Sequence, residues 1–355
     1  MSQADLPPLL SVRDLHVHFP IGRRQWGQPQ PVVRAVDGVS FELQRGRTLA
    51  IVGESGSGKT TTALSVMRLA EPTSGSIHFD GVDMGALRGA ALRTLRRRVQ
   101  LIFQDPYSSL NPRQRAGDIV RAPLDLMHIG PPAGREARVA ELFEQVGLRP
   151  EQRLLFPHQF SGGQRQRLNI ARALASAPDL IVCDEPVSAL DIAIRAQILN
   201  LLRRIQREQG QSFLFISHDM AVVQHICDDI AVMYLGRIVE RASRQAFFSR
   251  PLHPYSVALM SAVPTVHGGR QRAQQRIRLV GDPPSPINPP PGCGFAGRCP
   301  VAQARCHEQA PALRETASGH YVACHFVELR NGVAQPPLVP GAPSTASPSP
   351  QRSAA

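Results

Sequence analysis

The residues best suited to chemistry begin with Gly53-Glu54-Ser55-Gly56-Ser57-Gly58-Lys59-Thr60, which reads G-x-x-x-x-G-K-T. An apolar run, Thr48-Leu49-Ala50-Ile51-Val52, precedes it, and the helix-compatible stretch from Thr61 to Met67 comes after it. Strand, loop and helix therefore come in the order that a phosphate-binding loop requires. Gly53, Gly56 and Gly58 free the backbone to aim successive N–H groups at one point, and the helix opening at Lys59 adds its positive dipole end. Lys59 is placed to reach the β and γ phosphates of a nucleotide, and the Thr60 hydroxyl to hold Mg²⁺. A glycine turn that merely precedes a helix would not also require Lys-Thr at this offset.

Three later segments supply groups of the matching kind. Leu180-Ile181-Val182-Cys183 is a buried-type strand ending in Asp184-Glu185. Behind a phosphate loop, Asp184 reads as a Mg²⁺ ligand and Glu185 as the carboxylate that polarises the attacking water, rather than as an acidic turn. Ser212-Phe213-Leu214-Phe215-Ile216-Ser217 is another buried strand, and it delivers His218 at the carboxyl end, where open α/β sheets bind ligands. Upstream, Ser161 is a good N-cap beside Gly162 and Gly163, with Gln164 next, so a second helix end seeks an anion.

The elements that must position these groups can be read from the pattern around them. Residues 9–19 and 32–43 read as strands, with a polar Gly- and Pro-containing loop between them, and residues 75–81 as a short strand and turn. The stretch 87–98 is helical and basic; Arg93, Arg96, Arg97 and Arg98 are assigned no function, because an exposed charge run is usually a solvated face. Val99-Gln100-Leu101-Ile102-Phe103 returns to the sheet, and Gln104 closes it. Residues 105–176 then turn helical, an insertion in an α/β domain. After Ser188-Ala189-Leu190-Asp191, a helix carries Ile194, Ile198, Leu201, Leu202 and Ile205 as a core stripe.

A chain of 355 residues builds such a core without staples. Forty Lys and Arg against 28 Asp and Glu give +12, which suits nucleic acid, an anionic membrane or a basic soluble protein alike. The start lacks a basic and then apolar leader, and no run of apolar residues is long enough to span a membrane, so the expected location is cytoplasmic. Cys183 and Cys227 read as core residues. Cys293, Cys299, Cys306 and Cys324 crowd one late segment, and in a reducing compartment such a cluster favours a metal over disulfides.

Taken together, the set resembles the ATP-binding cassette ATPases. Gly53 to Thr60, with Thr61, resembles the Walker A loop, Gln104 the Q-loop glutamine, and Phe160-Ser161-Gly162-Gly163-Gln164 the signature motif with Phe for the commoner Leu. Asp184-Glu185 matches Walker B, Ser188 to Asp191 the D-loop, and His218 the switch histidine. The resemblance implies a P-loop α/β core with a helical subdomain insertion, ATP and Mg²⁺ as ligands, and head-to-tail pairing in which Ser161 and Gly163 of one subunit close over ATP held by Lys59 of the other. It further implies that Thr60, Gln104 and Asp184 arrange Mg²⁺, that His218 contacts the γ phosphate, that Asp191 borders the nucleotide, and that Phe19 stacks on adenine where relatives more often have Tyr. A core position on the strand face is the rival reading for Phe19.

The resemblance continues past the cassette. His253-Pro254-Tyr255-Ser256, the stretch Leu279 to Phe295 and Arg298-Cys299-Pro300 look like the C-terminal extension of dipeptide and oligopeptide importer ATPases. The implied organisation is a nucleotide-binding domain over 1–250, a cysteine-containing extension over 251–330 and a disordered tail over 331–355, the last from its Pro-Ser-Ala-Gly composition. The implied setting is the cytoplasmic face of the membrane, with two permeases, a second similar ATPase as heterodimer partner, an extracytoplasmic solute-binding protein, and no nucleic acid. Dipeptides, oligopeptides, glutathione and nickel chelates all stay open as cargo. The four late thiols, with no zinc-ribbon C-x-x-C pair, either hold a [4Fe–4S] cluster, as in some similar importer ATPases, or are unliganded and buried. A cytosolic cassette acting on nucleic acid or ribosomes is the rival class. Such proteins commonly carry two cassettes, and here one phosphate loop and one signature occur. A regulatory switch without hydrolysis is disfavoured by Glu185 and His218.

Overall fold

The computed structural model describes residues 7–22, 30–263, 277–330 and 333–337. Near the amino end, β1 (Leu10–Pro20) and β2 (Val32–Leu43) pair antiparallel. Next, β3 (Thr48–Val52) leads through the glycine loop into α1 (Lys59–Val66). The strands β4 (Ser74–Phe79) and β5 (Val82–Asp83) return to β1, giving an antiparallel sheet in the order β2-β1-β4-β5. Then α2 (Gly89–Arg98) feeds β6 (Val99–Ile102). In α2, Arg98 bonds Asp80 and Asp179, each at 2.6 Å, and Arg96 donates to the Arg68 carbonyl, so half of that basic run ties elements together.

The helical insertion contains α3 (Ala116–Leu126), α4 (Arg135–Gln145) and α5 (Gly162–Leu174). After it come β7 (Leu180–Asp184), α6 (Ile192–Gln209), β8 (Ser212–Ser217), α7 (Met220–Ile226) and β9 (Asp229–Tyr234). The strands β9-β3-β8-β7-β6 lie side by side in that order, all parallel. Their near-continuous apolar runs are the consequence of burial on both faces. Along β7 and β8, Ile181, Cys183, Phe213 and Phe215 face the core shared with the helical insertion. Leu180, Val182, Leu214 and Ile216, one residue out of step, face the core shared with the antiparallel sheet and α1. Val52 lies beside Ser217, Asp184 beside Ile216 and Ile102 beside Cys183. The segments that carry Gly53, Glu185, His218 and Gln104 therefore leave the sheet at one edge.

The chain divides into two compact units at Ile238 and Val239, earlier than the boundary at 251 expected from sequence. The reason is non-local: β10 (Arg237–Ser243) pairs Glu240 with Val322, so its later part belongs to the second unit. That unit also holds α8 (Arg244–Ser249), α9 (Pro254–Ser261), α10 (Ala304–Glu308), β11 (Arg314–Ala317) and β12 (His320–Val322), with β11 and β12 antiparallel. At its centre the Glu240 carboxylate is fully buried. It accepts the backbone N–H groups of Leu252 and His253, both at 2.8 Å, and pairs with His320 Nε2 at 2.7 Å. A buried carboxyl group persists only with such a full set of partners.

The expected disordered tail needs one correction. A last hairpin, β13 (Glu328–Arg330) with β14 (Val333–Gln335), places Ala334 opposite Leu329 and buries it against Leu252, Val322 and Val327. Average composition over the tail hides Ala334, the residue that this packing buries. The remainder, 338–355, lies outside the described residues.

Candidate functional site: a phosphate loop with a carboxylate relay

The loop after β3 is shaped by contacts that only glycine permits. Gly58 has φ +101°, and a Cβ there would stand 2.1 Å from the Ala35 carbonyl oxygen. Lys59 is buried and donates from Nζ to the carbonyls of Gly53 at 2.9 Å and Glu54 at 2.7 Å. Burial lowers its pKa, and the carboxylates of Glu185, Asp184 and Glu54 partly offset that. The Ser57 hydroxyl is buried with no hydrogen-bond partner. An orphaned hydroxyl, a lysine folded onto loop carbonyls and a cradle closed to a Cβ at Gly53 and Gly58 fit a bound polyphosphate.

Across the loop, Thr60 Oγ1 donates to Asp184 Oδ1 at 3.2 Å. Burial raises the Asp184 pKa, and the neighbouring Glu185 charge adds to this against the lowering effects of Thr60 and Lys59. A hydroxyl and a carboxylate oxygen this close are the hard oxygen pair that suits Mg²⁺. Glu185 has φ +46°, outside the usual range for a side-chain-bearing residue, and its N–H is held by the Ile216 carbonyl at 3.0 Å. Its two oxygens are both engaged: Gln104 Nε2 donates to Oε2 at 3.0 Å, and His218 Nδ1 meets Oε1 at 2.9 Å. Three residues predicted separately from sequence thus form one relay. Phe19 lies near the end of β1, opposite Val33, and is 44% exposed, which is not the burial of a core position.

Ser161, Gly162, Gly163, Gln164 and Asp191 form a second cluster at the start of α5 and α6. Ser161 caps α5, its N–H donating to Gln164 Oε1 at 2.9 Å and its Oγ accepting from the Gln164 N–H at 3.3 Å. A Cβ on Gly163 would stand 2.4 Å from Ile194 Cγ2, and one on Gly162 would stand 3.3 Å from the Tyr107 hydroxyl. Asp191 caps α6 through the Ile194 N–H. Tyr107 itself lies under the Arg165 guanidinium at 4.2 Å. Sequence reasoning gives Tyr107 no role, and no local spacing pairs it with Arg165. In the second unit, Cys293, Cys299, Cys306 and Cys324 all line one cavity with His253 and Phe295. Burial pushes the Cys299 and Cys324 thiols up to about 11. Among the described residues no helix is long and apolar enough to cross a membrane.

A parallel sheet ending in this loop, a carboxylate relay and a glycine-opened signature helix define an ATP-binding cassette, and solved structures agree. The dimeric post-hydrolysis state of the cassette MJ0796 bound to ADP and Pi matches with a TM-score of 0.59 and 27% identity, over 66% of this chain and 98% of that one. CbiO1 of Clostridium perfringens, part of the complex cbiONQ, matches with a TM-score of 0.59 and 26% identity, over 69% and 92%. Residues 36–188 match the family "ABC transporter" and residues 239–306 the family "Oligopeptide/dipeptide transporter, C-terminal region". The probable peptide ABC transporter ATP-binding protein y4tS of Sinorhizobium fredii is 50% identical over 89% of each chain. AppF of Bacillus subtilis, an oligopeptide transport ATP-binding protein, is 46% identical over 92% of this chain and 99% of its own. The chain belongs to the ATP-binding subunits of ABC transporters that carry the oligopeptide/dipeptide C-terminal region. It is an ATPase whose hydrolysis is coupled to transport.

Proposed function

We propose that this ATPase powers import of di- or oligopeptides through a membrane permease, acting at the cytoplasmic face. The observation that carries this is the joining of a complete cassette to the oligopeptide/dipeptide transporter region in one chain. The partners are two permease subunits, a second cassette subunit forming a heterodimer, and, indirectly, an extracytoplasmic solute-binding protein. Phe19 stacks on adenine. The loop from Gly53 to Thr61 and Lys59 hold the phosphates, while Thr60, Gln104 and Asp184 are the groups that would hold Mg²⁺. When bound, that ion neutralises charge on the phosphates. Glu185 orients and deprotonates the attacking water, and His218, bonded to Glu185 at 2.9 Å, meets the γ phosphate. Ser161, Gly162, Gly163, Gln164 and Asp191 complete the site of the partner subunit.

The four thiols converging on one cavity fit a [4Fe–4S] cluster, held by Cys293, Cys299, Cys306 and Cys324. Such a cluster would supply a covalent cross-link or a one-electron centre. Anaerobically purified protein should carry iron and its charge-transfer absorbance, and protein lacking both would remove the cluster from the reading. The test of the function itself is a mild-detergent pull-down from native membranes. Two polytopic permeases and a second cassette ATPase are expected. Recovery with ribosomes or nucleic acid and no permease would overturn the import reading.

A further inference from the structure

A separate group of chemistry-bearing residues lies on the β1–β2 ladder, away from the carboxylate relay. On β1, His16 and His18 alternate with the buried Leu15 and Val17, so both imidazoles leave the opposite face of the strand from the core. Asp37 of β2 lies opposite His16, and register shifts fall between Leu15 and His16 and between Val17 and His18. Irregular pairing of this kind re-aims side chains. His16 Nδ1 stands 3.2 Å from Asp37 Oδ1, and His18 Nε2 stands 3.3 Å from the same oxygen. The three ligand atoms lie within 4.8 Å of one another.

His16 faces a carboxylate oxygen from each of its ring nitrogens. The far nitrogen of His16, Nε2, also faces a carboxylate oxygen, Asp14 Oδ1, at 3.2 Å. A neutral imidazole has one N–H, so with that proton given to Asp14 the Nδ1 lone pair points at an anionic oxygen. A cation bound between Nδ1 and Oδ1 satisfies both atoms, as a second ring proton on Nδ1 also would. Metal–ligand distances of about 2.0–2.2 Å at the tetrahedral angle put neighbouring ligand atoms roughly 3.3–3.5 Å apart. The 3.3 Å spacing lies at the lower edge of that range and the 3.2 Å spacing just short of it. Arg237 donates to Asp37 Oδ2 from Nε at 3.0 Å and Nη2 at 2.7 Å, which fixes the carboxylate plane and leaves Oδ1 for coordination. Asp14 behind His16 is the carboxylate–histidine arrangement that orients a ligating ring. Both rings are about a quarter exposed, so an ion enters from solvent and water completes its shell.

We propose that His16, His18 and Asp37 form a binding site for a borderline divalent transition-metal ion, with Zn²⁺ as the type and Asp14 and Arg237 as positioning residues. Two imidazoles and one carboxylate select Zn²⁺, Co²⁺ or Ni²⁺ over Mg²⁺ and Ca²⁺. The site also connects to the nucleotide loop through backbone: the Asp37 N–H donates to the Gly236 carbonyl at 2.8 Å, and the Gly236 N–H to the Ser57 carbonyl at 3.0 Å.

The test is titration of full-length, metal-stripped protein with Co²⁺ in excess Mg²⁺, because sulfur ligation at the cysteines announces itself by charge-transfer bands that an imidazole and carboxylate site lacks. Expected is a saturable d–d spectrum of nitrogen/oxygen type at one equivalent. His16→Gln and His18→Gln should each weaken it by about tenfold or more, and Asp14→Asn by about tenfold, with circular dichroism and ATP affinity unchanged. Absence of such a band, or a band that keeps wild-type affinity in His18→Gln, overturns the site. Should His16→Gln fail to fold, His18→Gln decides alone.

Discussion

Glu185→Gln tests the catalytic assignment where the geometry is most constrained. The substitution keeps the side-chain volume and replaces one acceptor oxygen by an amide. If the amide oxygen faces Gln104 Nε2 and the NH₂ faces His218 Nδ1, both contacts at 3.0 and 2.9 Å survive, with the imidazole as acceptor. Folding should therefore be untouched. What disappears is the negative charge that can take a proton from water. Loss of such a base lowers turnover by about 10² or more, equivalent to roughly 2.7 kcal/mol in the transition state. Nucleotide affinity should hold or tighten, since Glu185 is among the charges acting on Lys59 and its removal leaves the phosphates one fewer repulsive neighbour. The assay is single-turnover ATP hydrolysis in the assembled transporter, with fluorescent-nucleotide binding and a melting curve on the same preparation. A purely structural Glu185 would give the opposite signature: melting lowered by the loss of a charge-assisted bond worth about 1.5–3 kcal/mol, with turnover kept. Turnover within about threefold of wild type at normal nucleotide affinity would refute the reasoning.

Contacts elsewhere in the chain set three further outcomes. Gly163→Ala brings a Cβ to 2.4 Å from Ile194 Cγ2, so ATPase activity should fall by about tenfold or more with nucleotide binding at Lys59 unchanged, and adding Ile194→Ala should restore part of it. Full activity in the single variant would show that α5 and α6 adjust freely. Glu240→Ala leaves the Leu252 and His253 amides and the His320 ring without their buried acceptor, and should cost about 3 kcal/mol or more of stability, read as lower melting of the second unit; an unchanged melting curve would refute the account. Burial holds the His253 pKa down at about 4, against an ordinary 6.5. The folded state therefore binds fewer protons than the unfolded one between these values. Its stability contribution is complete above pH 6.5 and is lost as pH falls through about 4, amounting to about 3 kcal/mol. His253→Asn keeps an N-cap oxygen for the Tyr255 N–H and should flatten that part of the stability–pH curve; an unchanged slope would place the acid sensitivity elsewhere.

Much of the cassette is readable from sequence because its signals are local. The phosphate loop needs its glycines, lysine and threonine at fixed offsets, and β7 and β8 announce themselves as short apolar runs that end in polar residues. Gln104, Glu185 and His218 can be named one by one, yet their meeting depends on the order β8-β7-β6 and on strand ends that align, neither of which a single sequence specifies. The histidine pair on β1 reads as ordinary strand residues, since Asp37 reaches them only through an irregular register and Arg237 comes from far along the chain. Glu240 is equally silent: a charged residue in a strand reads as exposed until β12 and the start of α9 close over it. The hairpin strand at 333–335 is hidden by the composition of the residues around it.

The five residues of β7 form a partition with a different room on each side: Ile181 and Cys183 furnish one, Leu180 and Val182 the other. The carboxylates stand at the end of that partition. A volume change in either room pushes on the same wall, and the wall can yield only by moving its end. Residues far from ATP and on opposite sides of the sheet are thereby made to share one tolerance. An enlargement at Val182 and a compensating reduction at Cys183 would not cancel, because each presses from its own side, whereas a matched pair of enlargements at 182 and 183 would leave the wall centred. The hydrolysis rate of such paired variants serves as a position gauge for a strand that never touches the nucleotide.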